Sequence, residues 1–261
     1  GETNNYITVR QGGAGSAKIH VAEAGTLSAL LGDNYEQITD LTLTGELNGT
    51  DFKFMRENLW ESMKKLNLEE ARIVAGGDVY YTVLDDYYTE KDKITPYLLS
   101  SFAYLSELKL PSSLTSIDDY ALAGLPELLS LDIPEFVDSI GQFAFSVCTR
   151  LEHVNLPEEL DYLGNGAFSN CPHLSQIELP KNLSYLGQNL FFLCKNLQSI
   201  EIPLSVDSIA AQAFYGCESL TELVIPESVQ HIEGNVWAGC SNLTTIEFHT
   251  KVIPRLYCTV N

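Results

Sequence analysis

Basic residues are scarce in this chain: 15 Lys and Arg stand against 35 Asp and Glu, a formal net charge of −20 over 261 residues. Bare nucleic acid is held by clustered Lys and Arg that displace counterions, so that class of partner is excluded, and adsorption to anionic lipid with it. No apolar run approaches the roughly 18 residues of a membrane-spanning helix. The 45% hydrophobic content instead supplies a continuous core. His20, His153, His173, His231 and His249 are scattered, with no H-E-x-x-H or C-x-x-C spacing. No G-x-S-x-G elbow and no phosphate-cradling glycine motif occurs. Catalytic, metal and cofactor roles therefore begin with no residue to carry them. Gly1-Glu2 reads as a trimmed start, and no signal peptide is visible.

What the chain does have is a period. Cys148, Cys171, Cys194, Cys217 and Cys240 follow one another at 23 residues. Around them, from Leu105 onward, runs L-x-x-L-x-L-P-x-x-L-x-x-I-x-x-x-A-F-x-x-C with apolar substitutions. The L-x-L portion, as in Leu108/Leu110 or Ile177/Leu179, alternates with the strand period of two, so one side of a short strand faces the core. Pro111, Pro134, Pro157, Pro180, Pro203 and Pro226 each remove a ladder donor and end the strand. The return path carries apolar pairs such as Leu160/Leu163, and then Ala167-Phe168 or its equivalent, read as a helical turn whose large residue plugs the core.

One such turn cannot stand alone. About eight inward residues contribute about 1.5–3 kcal/mol each when buried. Ordering the backbone costs about 1–2 kcal/mol for every residue in the turn. Neighbours must be stacked to close the balance. The period therefore predicts an α/β leucine-rich-repeat solenoid with stacked short parallel strands, short helical turns and an N-terminal cap.

The expected organisation is one elongated domain. Residues 1–36 form the cap, with a strand over Tyr6–Arg10 and a helix from Thr26 to Leu31. Residues 37–104 hold irregular first repeats, with a helix over about 52–65 capped by Thr50-Asp51. Phe54, Met55, Leu59, Trp60 and Met63 would lie near one helix face. The step from Met63 to Leu105 is 42 residues instead of 23, which places an insertion at about 69–91. Regular repeats occupy 105–248, and 249–261 are a C-terminal cap or the truncated end of a longer chain.

The cysteine column also holds Leu125 and Phe102, so its thiols read as buried small hydrophobes rather than zinc ligands or disulfides. Cys258 lies outside the column. Cys171-Pro172-His173 invites a nucleophile reading, but Cys171 belongs to the buried column.

Two surfaces are candidates for binding. Lys109, Asp132, His153, Asn155, Glu178, Glu201, Glu222 and Glu247 occupy outward strand positions and form a polar, mainly acidic strip. The same residues also serve a solvated face that keeps a solenoid in solution. Glu178 and Glu201 fall one rung apart, where two carboxylates at about 5 Å repel by about 1 kcal/mol in water. That pair is compatible with a calcium ion, which prefers several oxygen ligands, but nothing else supports one. No pocket-forming segment accompanies the pair, so a glycosidase-like role has no support. The second candidate is the insertion, where Tyr80, Tyr81, Asp85, Asp86, Tyr87 and Tyr88 suit sugar or protein contacts. The alternative is that these tyrosines pack the insertion onto the solenoid.

The repeat over 94–248 closely resembles the BspA-type, or Treponema pallidum-type, leucine-rich repeat, and Leu41 to Glu57 resembles a pre-repeat element of Bacteroides members. The resemblance implies a bacterial protein exported to the cell surface or outer membrane, often as a lipoprotein. It implies adhesion to a protein or glycan on host or neighbouring bacterial cells, and carries no catalytic residue and no cofactor. Asp138-Ser139-Ile140 and Asp207-Ser208-Ile209 resemble the short O-glycosylation signal of such exported proteins. The leading reading is a non-enzymatic surface binding module. A structural or assembly protein of the cell envelope, using the solenoid edge or caps, is the alternative, and an enzyme is third.

Overall fold

The computed structural model describes residues 6–9, 15–249 and 255–256. Strand β1 (Tyr6–Val9) runs antiparallel to β2 (Gly15–Val21), and from β2 onward the ladder is parallel. After α1 (Leu27–Leu31), β2 pairs with β3 (Ile38–Leu47), bringing Ala17 beside Leu41 and Ile19 beside Leu43. The stretch before residue 36 thus contributes a rung to the sheet as well as a cover. Thr26 precedes α1, but its hydroxyl donates to Glu23 O at 2.7 Å and caps no helix N–H.

Helix α2 (Gly49–Asn58) begins and ends earlier than the 52–65 read from sequence. Its N-cap is Asn48, whose side chain accepts from Thr50 N–H at 3.0 Å. Asp51 reaches back to Asn48 N–H at 2.9 Å, completing a capping box. Phe52, Met55, Leu59 and Met63 are buried, whereas Trp60 falls beyond the helix end and is 41% exposed. The chain then passes through β4 (Lys65–Asn67) and β5 (Ala71–Ile73), both parallel to β3. The insertion folds as an antiparallel hairpin of β6 (Gly76–Thr82) and β7 (Asp86–Thr89).

Beyond it, each coil of the solenoid has three sides. On the Ser-Ile side, Lys93–Ile94, Ser116–Ile117, Ser139–Ile140 and Tyr162–Leu163 stack in parallel. Tyr185–Leu186, Ser208–Ile209, His231–Ile232 and Arg255–Leu256 form a second parallel run. Glycine is needed where coils approach most closely: a Cβ on Gly164 would sit 2.5 Å from the carbonyl carbon of Gly141.

The turn side differs from the helical turns read from sequence. It is built of consecutive hydrogen-bonded turns, with two left-handed residues per coil, such as Tyr120 (φ 57°) and Gly124 (φ 67°). The reason lies in where the N–H groups go. Ala121 and Ala123 donate within the coil, to Asp118 O and Tyr120 O. Leu122 and Gly124 donate across it, to Ala144 O at 2.9 Å and Ser146 O at 2.8 Å. An α-helix needs all of its N–H groups for itself; stacking takes every second one.

The core is a set of columns. Phe145, Phe168, Phe191 and Phe214 stack face to face with centroids 5.2, 5.8 and 5.8 Å apart. Cys148, Cys171, Cys194 and Cys217 are free and buried, and Cys240 is free and partly buried. They do more than fill space. Cys171 Sγ–H donates to Phe145 O and Cys194 Sγ–H to Phe168 O, each at 3.1 Å, so the column ties each coil to the one before. Burial pushes the Cys148 and Cys194 thiols up to about 12, which keeps them protonated and unreactive.

Candidate binding surface

The L-x-L side brings the whole predicted strip together. Lys109, Asp132, His153, Asn155, Glu178, Glu201, Glu222 and Glu247 are all exposed on it, while the apolar residues between them point inward. Several are engaged with a neighbour. Asn155 Nδ2 donates to Asp132 Oδ1 at 2.5 Å, across one rung. Lys109 pairs with Glu69 at 3.1 Å and Glu247 with His249 at 2.8 Å. Among the described residues, Glu178, Glu201 and Glu222 are in no ion pair.

Two grooves of ≈520 Å³ lie on this side. One runs between Leu108–Leu110 and Asp132–Pro134, with Phe136 at its edge, 64% exposed. The other runs between Gln176–Leu179 and Ser199–Glu201 and holds Glu178, Glu201 and Lys181. No group of three or more His, Cys, Asp or Glu among the described residues is placed to hold a metal ion, and the Glu178–Glu201 pair has no third ligand of that kind.

The insertion tyrosines divide into two sets. Tyr80 is buried, its hydroxyl donating to Pro96 O at 2.6 Å and paired with Thr95 Oγ1 at 2.8 Å. Burial raises its phenol above the ordinary value. Tyr81 and Tyr87 both pack on Tyr97, at 5.2 and 5.4 Å, and that ring continues through Tyr120 to Phe143 at 5.2 Å per step. Arg56 lies 4.3 Å over the Tyr81 ring and donates to Tyr97 O at 2.6 Å and Ser100 O at 3.2 Å. These three tyrosines pin the hairpin to the solenoid. Only Tyr88 among the four is exposed, beside the exposed Asp85 and Asp86, and Thr82 Oγ1 donates to Asp86 at 2.8 Å. The apex is apolar: Val83 and Leu84 are 54% and 92% exposed.

On the Ser-Ile side, Ser139 and Ser208 each donate to the preceding aspartate, at 2.8 Å. Cys171 is buried and His173 points elsewhere, its Nδ1–H donating to Thr149 O at 2.6 Å, so no nucleophile–base pair forms.

Six copies of the BspA-type leucine-rich repeat region match this chain, over residues 88–196 and 163–255. The chain belongs to the BspA-type leucine-rich repeat family. A solved leucine-rich repeat protein from Bacteroides ovatus superposes with a TM-score of 0.58 at 18% identity, over 95% of this chain and 70% of that one. The leucine-rich repeat protein of T. pallidum is 30% identical over 60% of this chain and 75% of its own, with a TM-score of 0.51. No curated protein matches. No helix among the described residues is long and apolar enough to cross a membrane.

Within the BspA-type frame, sequence reading missed Arg56, Tyr97 and the apolar hairpin apex. Tyr97, Tyr120 and Phe143 do stand 23 apart, so an aromatic column was there to be found. Arg56 carried no such signal, because its partners are backbone carbonyls 41 to 44 residues away.

Proposed function

We propose that this BspA-type protein is a non-enzymatic binding module, exported to the bacterial cell surface as a lipoprotein, that holds a protein or glycan on host or neighbouring bacterial cells. The observation that carries the reading is the L-x-L side itself. Eight exposed polar side chains stand there on coils bonded to one another along the turn side, from Leu99 N–H to Ala121 O through Phe214 N–H to Val236 O. Such a surface changes little on binding, so its contacts are made without a large ordering cost. Family membership supports the surface location. The hairpin is the second place a partner can touch, through Tyr88 and the apex.

The test is a screen of the folded chain against glycan and extracellular-matrix protein arrays, with and without calcium. A hit that is lost when Asp132, Glu178 and Glu201 are reversed to Lys, but survives replacement of residues 80–88 by a short polar loop, is the expected result. Loss on loop replacement alone would move the site to the hairpin. Silence on both arrays would count against the binding reading and turn attention to envelope assembly.

A further inference from the structure

One coil departs from its repeat beside a groove. The residue two places after each strand-ending proline is polar in the other coils: Ser113, Glu159, Asn182, Ser205 and Ser228. Between the first two of these stands Phe136, 64% exposed. Among the described residues its ring packs on no other aromatic ring. The core has no use for it, because Ile133 and Val137 fill the inward places on either side and are buried. Its backbone is held: Val137 N–H donates to Pro134 O at 3.1 Å and closes the turn around it. A phenyl face is thus presented to solvent from a fixed turn.

Phe136 edges the groove of ≈520 Å³ between Leu108–Leu110 and Asp132–Pro134, a volume within the range of about 300–1,000 Å³ for small-ligand sites. Leu110, Ile133 and Pro134 supply apolar lining next to the ring. The polar groups of the same lining are already fastened. Lys109 Nζ donates to Glu69 at 3.1 Å, Asp132 accepts from Asn155, and Ser113 Oγ donates to Asp92 at 3.0 Å. Each keeps spare capacity: carboxylate oxygens on Glu69 and Asp132, lone pairs on Ser113 and N–H donors on Lys109. Groups held in place beforehand meet a ligand without the cost of ordering them.

A ligand that fits must show an apolar face to the ring and hydrogen-bonding groups around its edge. A pyranose does both. Its C–H face meets the negative face of an aromatic ring, and its hydroxyls donate to carboxylates and accept from an ammonium group. A wholly apolar ligand would take water from Glu69, Asp132 and Lys109 and replace none of its hydrogen bonds. Charge narrows the class further. Glu69, Asp132 and Glu135 stand against Lys109 alone in this lining, in a chain of net charge −20. A sugar carrying a carboxylate or sulfate is repelled here.

We propose that this groove binds an uncharged pyranose unit of a glycan, stacked on Phe136, with its hydroxyls held by Asp132, Lys109 and Ser113. The proposal rests on the binding-module reading above and deepens it by naming the place and the chemistry.

The experiment titrates cellobiose, lactose and maltose separately into the isotope-labelled full chain and follows backbone amide shifts by NMR. At least one sugar should shift the amides of Leu110, Asp132, Ile133 and Phe136 at millimolar concentration. The uronic acid of that sugar, with its primary alcohol oxidised to a carboxylate, should bind more weakly. Phe136→Ala should weaken binding about tenfold while leaving the melting temperature of the chain unchanged, the ring being exposed. Phe136→Tyr keeps the aromatic face and should bind as the parent does. Unaltered affinity in Phe136→Ala would overturn the stacking. Shifts confined to other parts of the chain would overturn the location. Equal or tighter binding of the uronic acid would overturn the choice of an uncharged sugar. No shift with any of the three would overturn the groove as a sugar site, and the array screen would still decide the wider reading on whole proteins.

Discussion

Phe168→Ala is expected to lower the stability of the chain by about 3–5 kcal/mol, measured by urea unfolding followed through far-UV circular dichroism. The ring is fully buried at the middle of the phenylalanine column, stacked 5.2 Å from Phe145 and 5.8 Å from Phe191. Removing it takes away contacts to two neighbouring coils at once. The surroundings cannot collapse, because the adjacent backbone is fixed by inter-coil bonds: Phe168 N–H to Leu190 O at 3.1 Å and Phe145 N–H to Ala167 O at 2.9 Å. In a stacked array each coil is stabilised through its neighbours, so the transition should also broaden as the two halves uncouple. Phe168→Leu should cost much less, since Leu122 and Leu99 fill the same column in earlier coils and are fully buried there. A loss below about 1 kcal/mol for the alanine variant would mean that the repeat phase is misassigned.

The second large effect is expected at Asp51. Its carboxylate is 1% exposed and accepts from three backbone N–H groups: Gly25 at 2.7 Å, Asn48 at 2.9 Å and Leu27 at 3.0 Å. One side chain thus closes the N-terminus of α2 and fastens the loop leading into α1. Asp51→Ala orphans all three donors at a buried site. At about 1–3 kcal/mol for each unsatisfied donor, the loss should be about 3 kcal/mol or more. Asp51→Asn keeps one carbonyl oxygen as acceptor and should fall between the two. Thermal unfolding of the three proteins side by side checks the order. An alanine variant as stable as the parent would show that water replaces the carboxylate and that the capping box contributes little.

Most of the fold was legible because each coil repeats the same physical problem. The Leu, Ile and Val columns mark the buried positions, and from Leu105 through Val236 the structure buries them, Leu156 and Leu179 only in part. Cys171 and Cys194 were legible as core residues through Leu125 and Phe102 in the same column, but their thiol hydrogen bonds were not, since these depend on a carbonyl in the coil before. The helical turns were misread for a related reason. Ala167-Phe168 suits a helix locally, and what prevents one is that Phe168 N–H belongs to Leu190 O in the next coil. Helix α2 was placed late because the reading took Thr50-Asp51 as the cap, whereas Asn48 supplies the acceptor and Asp51 the return bond.

The candidate surface was legible as a strip and illegible as a shape. Strand period alone puts Glu178 and Glu201 outward, and they are outward. Yet His153-Val154-Asn155-Leu156, which pairs through its first three residues, and Gln176-Ile177-Glu178-Leu179, which makes one bridge at Gln176, share one apolar pattern. Repulsion of about 1 kcal/mol between adjacent carboxylates disfavours closure at Glu178 and Glu201, but an open rung depends on how neighbouring coils sit. The insertion divides on similar lines. Four tyrosines look alike in sequence, and Tyr97 decides which of them are used for packing.

The polar L-x-L strip stands on coils that are bonded to one another along the turn side, and amide hydrogen exchange of the free chain tests that most directly. The amides of Phe145, Phe168 and Phe191, which donate to the next coil at 2.9, 3.1 and 2.8 Å, should exchange far more slowly than those of an unstructured peptide. The amides that join Ser130–Asp132 to His153–Asn155 should be slow in the same sample. Exchange at all of these positions near the rates of an unstructured peptide would mean that the coils are not stacked, and would contradict the account.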